Sequence, residues 1–192
     1  PKIDASFEAG SYKIFKESTG ISGANNKVNY AFNITRIDSS GISAAKGGAE
    51  DDGYKNTTLS SRAGLSLSDN ANLNLILRYT DARSDLDDAG WDDDPNYTGK
   101  GKTFISKIEF NQVIKPWWNH KLSLSYLHIK RDYNDGIDNV GNYTDIFKMH
   151  SWYKGDNKKI EWQNNFPITA ADTITAGMEY EREGASSLYK LG

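Results

Sequence analysis

Leu59-Ser60-Ser61-Arg62-Ala63-Gly64-Leu65-Ser66-Leu67-Ser68-Asp69-Asn70-Ala71-Asn72-Leu73-Asn74-Leu75-Ile76-Leu77-Arg78-Tyr79 is the stretch that decides the fold. Leu59, Ala63, Leu65 and Leu67 share one side of an extended chain, and Ser60, Arg62, Gly64, Ser66 and Ser68 the other. After Asp69-Asn70 the pattern resumes, with Leu73, Leu75, Leu77 and Tyr79 opposite Asn72, Asn74, Ile76 and Arg78. Alternation with a period of two is the mark of a strand whose faces meet different surroundings, and two short polar residues between such runs mark a hairpin.

The same pattern extends in both directions. Ile3, Ala5, Phe7 and Ala9 alternate with Lys2, Asp4, Ser6 and Glu8, and Val28, Tyr30, Phe32 and Ile34 with Asn29, Ala31, Asn33 and Thr35. Between them a weaker strand is expected over 12–22, followed by a turn at Gly23-Ala24-Asn25-Asn26. Phe104, Ile108 and Phe110 oppose Lys107, Glu109 and Asn111; Leu122, Leu124 and Tyr126 oppose Ser123 and Ser125. Ile160, Trp162 and Phe166, then Ile174, Ala176, Met178 and Tyr180, complete about nine strands. Long polar stretches at 38–55, 84–101 and 132–156 alternate with short turns.

Composition narrows the classes. Lys plus Arg is 23 against 26 Asp plus Glu, a net charge of −3, which gives no cationic surplus for a nucleic-acid partner. There is no cysteine, which removes disulfide scaffolds, zinc ribbons and thiol chemistry. No apolar run reaches the roughly eighteen residues of a spanning helix. A membrane barrel remains open, because its apolar residues alternate with polar ones.

Short turns at one end, long loops at the other and strands of roughly 10–14 residues predict an all-β, antiparallel up-and-down transmembrane barrel. The strands of soluble proteins run nearer to about five or six residues. Tyr12, Tyr30, Tyr79, Tyr126, Tyr180 and Trp117-Trp118 lie towards strand ends or turns, where interfacial aromatic girdles form. Two other classes share the periodicity: a passive porin, and a soluble glycan-binding β-sandwich with its apolar face as a core.

A family resemblance rests on four segments in order. Ala5-Ser6-Phe7-Glu8-Ala9-Gly10-Ser11-Tyr12 resembles the first barrel hairpin of TonB-dependent outer-membrane receptors. Asn29-Tyr30-Ala31-Phe32 through Asp38-Ser39-Ser40-Gly41-Ile42-Ser43 is similar to their third strand and its loop exit, and Asp51-Asp52-Gly53-Tyr54-Lys55-Asn56-Thr57-Thr58-Leu59 to the return. Tyr153-Lys154-Gly155-Asp156, Glu161-Trp162-Gln163-Asn164-Asn165 and Thr175-Ala176-Gly177-Met178-Glu179-Tyr180-Glu181-Arg182-Glu183 look like a later hairpin. The subgroup resembled is the cobalamin-transporter type. The resemblance implies a plugged barrel of about 22 strands. Residues 1–192 would be a partial barrel domain, with the plug and the TonB-contacting segment before Pro1 and further strands after Gly192. It further implies active uptake of cobalamin or a related corrinoid, or else of a siderophore or haem. The setting would be the bacterial outer membrane, with the lipid bilayer and lipopolysaccharide around the barrel.

In that subgroup loop carboxylates bind calcium, a hard cation that favours oxygen ligands. The resemblance carries this role to Glu50 and Asp52, before Gly53-Tyr54, and to Asp81 and Asp87 on the next strand exit. Ser43 stands where the subgroup has an acid. Tyr54, Trp91 and Tyr97 are expected to offer ligand-stacking surfaces on the loops. No catalytic residues are expected. Gly101-Lys102-Thr103 lacks the upstream glycine of a phosphate-binding loop, and Asp132-x-Asn134-x-Gly136 fails the EF-hand pattern at its third ligand. His120, His128 and His150 lack metal-ligand spacing, and Glu179, Glu181 and Glu183 read as charges lining a lumen.

Overall fold

The computed structural model describes residues 1–48, 50–87, 93–137 and 148–192. Its strands are β1 (Lys2–Gly10), β2 (Ile14–Ala24), β3 (Val28–Ser39), β4 (Tyr54–Ser68), β5 (Ala71–Asp85), β6 (Thr98–Lys115), β7 (Trp118–Asp135), β8 (Met149–Pro167) and β9 (Thr173–Leu191). They form one sheet in sequence order, each strand antiparallel to the next. The short turns are built by side chains that satisfy freed amides. Asn25 Oδ1 accepts from the amides of Lys27 and Val28, and Thr169 Oγ1 from those of Ala171 and Asp172.

Register gives the sheet two unlike faces, because directly paired residues point to the same side. Val28, Leu65, Leu73, Phe110, Leu122, Trp162 and Met178 form one continuous row across β3 to β9. One residue along, Asn29, Gly64, Asn74, Glu109, Ser123, Glu161 and Glu179 form a row on the opposite face. The polar face is laced by lateral hydrogen bonds, among them Ser18 Oγ to Thr35 Oγ1 at 3.1 Å and Asn165 Nδ2 to Asn119 Oδ1 at 3.0 Å.

Among the described residues nothing packs on the apolar face. Among the described residues the buried apolar side chains are only Ala45 and Ala71, while Leu65, Ile108, Leu124 and Ile160 are 39–48% exposed. A sandwich needs a second sheet to cover such a face. The described residues form one sheet, and no second one lies over its apolar face.

Aromatic residues bound this apolar band. Trp118 stacks on Trp117 and on Phe166 at the short-turn end, with ring centroids 6.3 Å apart in both cases. Towards the loops, Tyr79 pairs with Phe104, whose ring lies 6.2 Å from that of Tyr126. About eight residues separate Trp118 from Tyr126; at roughly 3.3 Å each and a tilt of about 40° this is ~20 Å of height, close to the ~25 Å of a barrel's lipid band. Tyr12 lies in the β1–β2 turn with φ 59°, so β2 begins at Ile14 and not at residue 12.

The strands outrun the expected length. β6 to β9 have 18 or 19 residues, and the loop-side ends of β6, β7 and β8 occupy stretches that read as loop. The reason is physical: above the aromatic ring both faces meet polar surroundings, so the apolar side of the alternation vanishes while the strand continues.

If the apolar row meets lipid, Leu75→Lys will destabilise the intact folded protein by about 2–4 kcal/mol in bilayers, whereas Asn74→Lys, one residue along, will cost less than about 1 kcal/mol. Urea unfolding in lipid vesicles measures both.

Candidate functional site

The three long connections gather at one end of the sheet and are tied together. Asp85 N donates to Gly53 O at 2.8 Å, holding the return of the first loop against the exit of β5. Asn96 and Gly136 exchange hydrogen bonds between the second and third loops. Within the first loop, Gly41 adopts φ +72°, and a Cβ there would collide with the carbonyl of Asp52. Only glycine allows the outgoing and returning arms to close this tightly.

That closure brings carboxylates together. One oxygen from each of Glu50, Asp52 and Asp87 lies within 4.8 Å of the others. Asp87 bridges the first two loops, its oxygens accepting from the amides of Ala45 at 2.5 Å and Asp94 at 3.1 Å. The Ser43 hydroxyl lies 3.5 Å from Asp87 Oδ2 and 3.3 Å from Asp93 Oδ1. Burial, then the negative charges of Asp52, Asp87 and Asp93, push the Glu50 carboxyl up to about 7. Burial likewise raises Asp52, partly opposed by its hydrogen bond from the Ala44 amide. Glu50 Oε1 and Asp52 Oδ1 are buried without a hydrogen-bond partner. Two orphaned carboxylate oxygens, a third acid and a nearby hydroxyl form an all-oxygen donor set that fits calcium.

The polar face supplies a second feature close to the loops. Gly99 and Gly101 on β6 leave a recess of about 290 Å³ flanked by Thr103, Ile129, Arg131 and Tyr133. A Cβ at Gly101 would meet nothing within 4 Å, so this glycine forms open floor. Tyr133 and Tyr153 meet edge to face at 6.3 Å beside it. A planar aromatic or anionic ligand would find rings and a guanidinium on this wall.

The residues singled out from sequence are thus only partly assembled. Glu50, Asp52 and Asp87 converge. Asp81 lies apart on β5, facing outward, 3.3 Å from Lys102 Nζ. Tyr54 starts β4 on the polar face and accepts from Asn56 Nδ2 at 2.7 Å. Tyr97 is half-buried at the foot of the second loop, its amide donating to Asp94 Oδ1 at 2.9 Å. Trp91 lies outside the described residues. Sequence reasoning missed Asp93 as a neighbour of Ser43. It also missed Arg131, Tyr133 and Tyr153, which share the odd-numbered, inward parity of β7 and β8 with Ser123 and Glu161.

No protein-family model matches the sequence, and neither does any curated protein. Solved structures do. The siderophore receptor PiuA from Acinetobacter baumannii superposes with a TM-score of 0.76 at 12% identity, over 96% of this chain and 30% of its own. The open form of the ferric-catecholate import receptor Fiu from E. coli K12 gives 0.68 at 13% identity, over 95% and 34%. The fold is the barrel wall of such receptors. The chain spans about a third of their length.

The raised Glu50 pKa has a defined sign. Between the ordinary carboxylate value and about 7 the folded loop holds a proton that the unfolded chain has lost. Stability therefore falls as pH rises through that window. With chelator present, protease cleavage within 40–53 will increase several-fold between about pH 5 and 8, and Glu50→Gln will flatten the profile.

Proposed function

We propose that this chain is part of the wall of a bacterial outer-membrane receptor that imports a ferric siderophore, driven through TonB. The observation that carries the reading is the unbroken nine-strand sheet, apolar outside and polar inside, that superposes on two siderophore-linked receptors over nearly all of its length. The work is capture and translocation, with no covalent change to the cargo.

An open sheet in hydrocarbon is untenable, because each unpaired backbone group costs several kcal/mol there. β1 and β9 make no contact with one another. Strands beyond residues 1–192 would cover both edges and close the barrel, and a plug with the TonB-contacting segment would occupy its lumen. A passive porin would need neither plug nor energy coupling, and both structural neighbours favour the receptor. The bilayer and lipopolysaccharide would surround the wall.

Cobalamin was the ligand implied by the sequence resemblance. The solved neighbours carry siderophore and ferric-catecholate names, and the recess beside Arg131 with its two tyrosines suits an anionic aromatic chelate. Ferric siderophore is accordingly the reading adopted. Calcium at Glu50, Asp52 and Asp87 would neutralise the clustered acids and lock the first loop to the second, presenting Tyr54 and Tyr97 to the cargo.

Two outcomes test this. The intact protein, expressed in a strain stripped of siderophore receptors, will restore growth on a ferric catecholate under iron limitation only when TonB is present. Gly101→Phe, whose Cβ would meet nothing within 4 Å, places a ring at the recess and will reduce that uptake about tenfold or more while leaving outer-membrane insertion unchanged. Growth on cobalamin alone would return the ligand to the corrinoid class. Separately, calcium affinity of the intact protein will fall below about pH 7 by up to roughly tenfold per unit as the cation competes with the Glu50 proton. Calorimetry in two buffers of different ionisation enthalpy reads the released proton.

A further inference from the structure

Register sorts the cations of the inward face into two kinds. Lys16, Lys107, Lys121 and Lys159 lie 2.7–3.9 Å from carboxylate oxygens of Glu8, Glu109, Glu161 and Glu179 in turn. The inward arginines differ. Arg62 on β4, Arg78 on β5 and Arg131 on β7 are exposed, and among the described residues no carboxylate lies within 4.0 Å of any of them. On the outward face, by contrast, Arg36 meets Asp38 at 2.6 Å and Arg83 meets Asp85 at 3.1 Å.

Strand pairing keeps acids away from the three. The direct partners of Arg62 are Ala31 and Ile76, those of Arg78 are Ser60 and Ile105, and those of Arg131 are Gly101 and Tyr153. No diagonal neighbour on an adjoining strand is acidic either. Four inward acids, Glu161, Glu179, Glu181 and Glu183, stand instead on β8 and β9. The wall is therefore cationic along β4 to β7 and anionic along β8 and β9.

The arginines also descend. Arg131 flanks the recess near the loops, in one row with Gly101 and Ala82. Arg78 lies two strands away from Arg131 and four residues below Ala82. At roughly 3.3 Å per residue and ~4.8 Å per strand, the α-carbons of Arg131 and Arg78 are about 16 Å apart, a gap that two extended arginines and one bulky anion can span. Arg62 is a diagonal neighbour of Arg78, about 7–8 Å away and one row nearer the short turns. It is level with Ala63 and Leu75 in the apolar band outside. Two guanidiniums this close with no acid beside them repel one another. An oxyanion between them removes the repulsion, and the planar fork of each suits paired oxygens.

We infer that Arg62 and Arg78 form a second anion-binding subsite inside the lumen, which takes the anionic metal chelate after it leaves the Arg131 recess. The inference rests on the receptor reading above and deepens it. The cargo passes along β4 to β7, and the acids of β8 and β9 repel it from the other side.

The test uses the intact receptor in a TonB-positive strain without other siderophore receptors, with the ferric complex of dihydroxybenzoate as probe. Arg62→Gln/Arg78→Gln will keep cell-surface binding of the probe within about twofold and lower its TonB-dependent uptake rate about fivefold or more, whereas Arg131→Gln will weaken the surface binding itself. Glu181→Gln/Glu183→Gln will not lower uptake. Unchanged uptake in the double arginine variant overturns the inference, as does an equal loss in the double glutamate variant. Entry of a bulky antibiotic through the double arginine variant without TonB also overturns it, because the arginines would then be holding a plug in place. If the double variant fails to insert, Arg78→Gln alone carries the same comparison of binding with uptake. Absence of TonB-dependent uptake by the unaltered, inserted protein would contradict the receptor reading, and the subsite with it.

Discussion

The pairing of backbone amides and carbonyls between neighbouring strands of one sheet is the constraint on which the rest of this structure depends. Hydrocarbon offers no alternative partner for these groups. A chain crossing it with strands must pair each strand with both neighbours, and hairpins in sequence order are the simplest way to do so. The order β1 to β9 without a crossover follows, as do short turns at one end and long connections at the other. Side chains then need to satisfy only the medium they face. In the proposed membrane setting this accounts for an apolar row without packing partners among the described residues and for the Asn, Thr and Ser hydrogen bonds that lace the polar row.

Height along the strands divides the outward face into layers of different chemistry. Trp117, Trp118 and Phe166 mark the short-turn boundary, and Tyr79, Phe104 and Tyr126 the other. Between them lie aliphatic side chains; above them lie lysines and aspartates. The inward face changes too, from amides and carboxylates near the short turns to Arg131, Tyr133 and Tyr153 near the loops. The loop acids and the recess therefore sit at the same end of the wall, where a ligand arriving from outside would meet both.

Much of this was legible in the sequence, and the unread parts have a common cause. Leu59 to Tyr79 showed a hairpin directly, because one of its faces is apolar throughout. The loop-side ends of β6, β7 and β8, residues 98–101, 132–135 and 149–156, did not read as strands, because Lys100, Asp132 and Lys154 stand where apolar residues would mark the outward side. Of the acids, Glu50, Asp52 and Asp87 were picked out by the resemblance and do meet. Asp81 has the right residue type but points outward to Lys102, a distinction that strand parity could have supplied. Arg131 and Tyr133 were hidden for the same reason: attention to loop tips passes over inward residues at strand ends.

The absence of cysteine allows a clean cysteine scan along β7 of the intact protein in lipid vesicles, from residue 122 to residue 127, each position carrying a fluorophore exposed in turn to bromine-labelled acyl chains and to an aqueous quencher. The structure predicts strict alternation, with 122, 124 and 126 quenched by the acyl chains and 123, 125 and 127 not. Protection of 122, 124 and 126 from both quenchers, as in a dry protein interior, would contradict it.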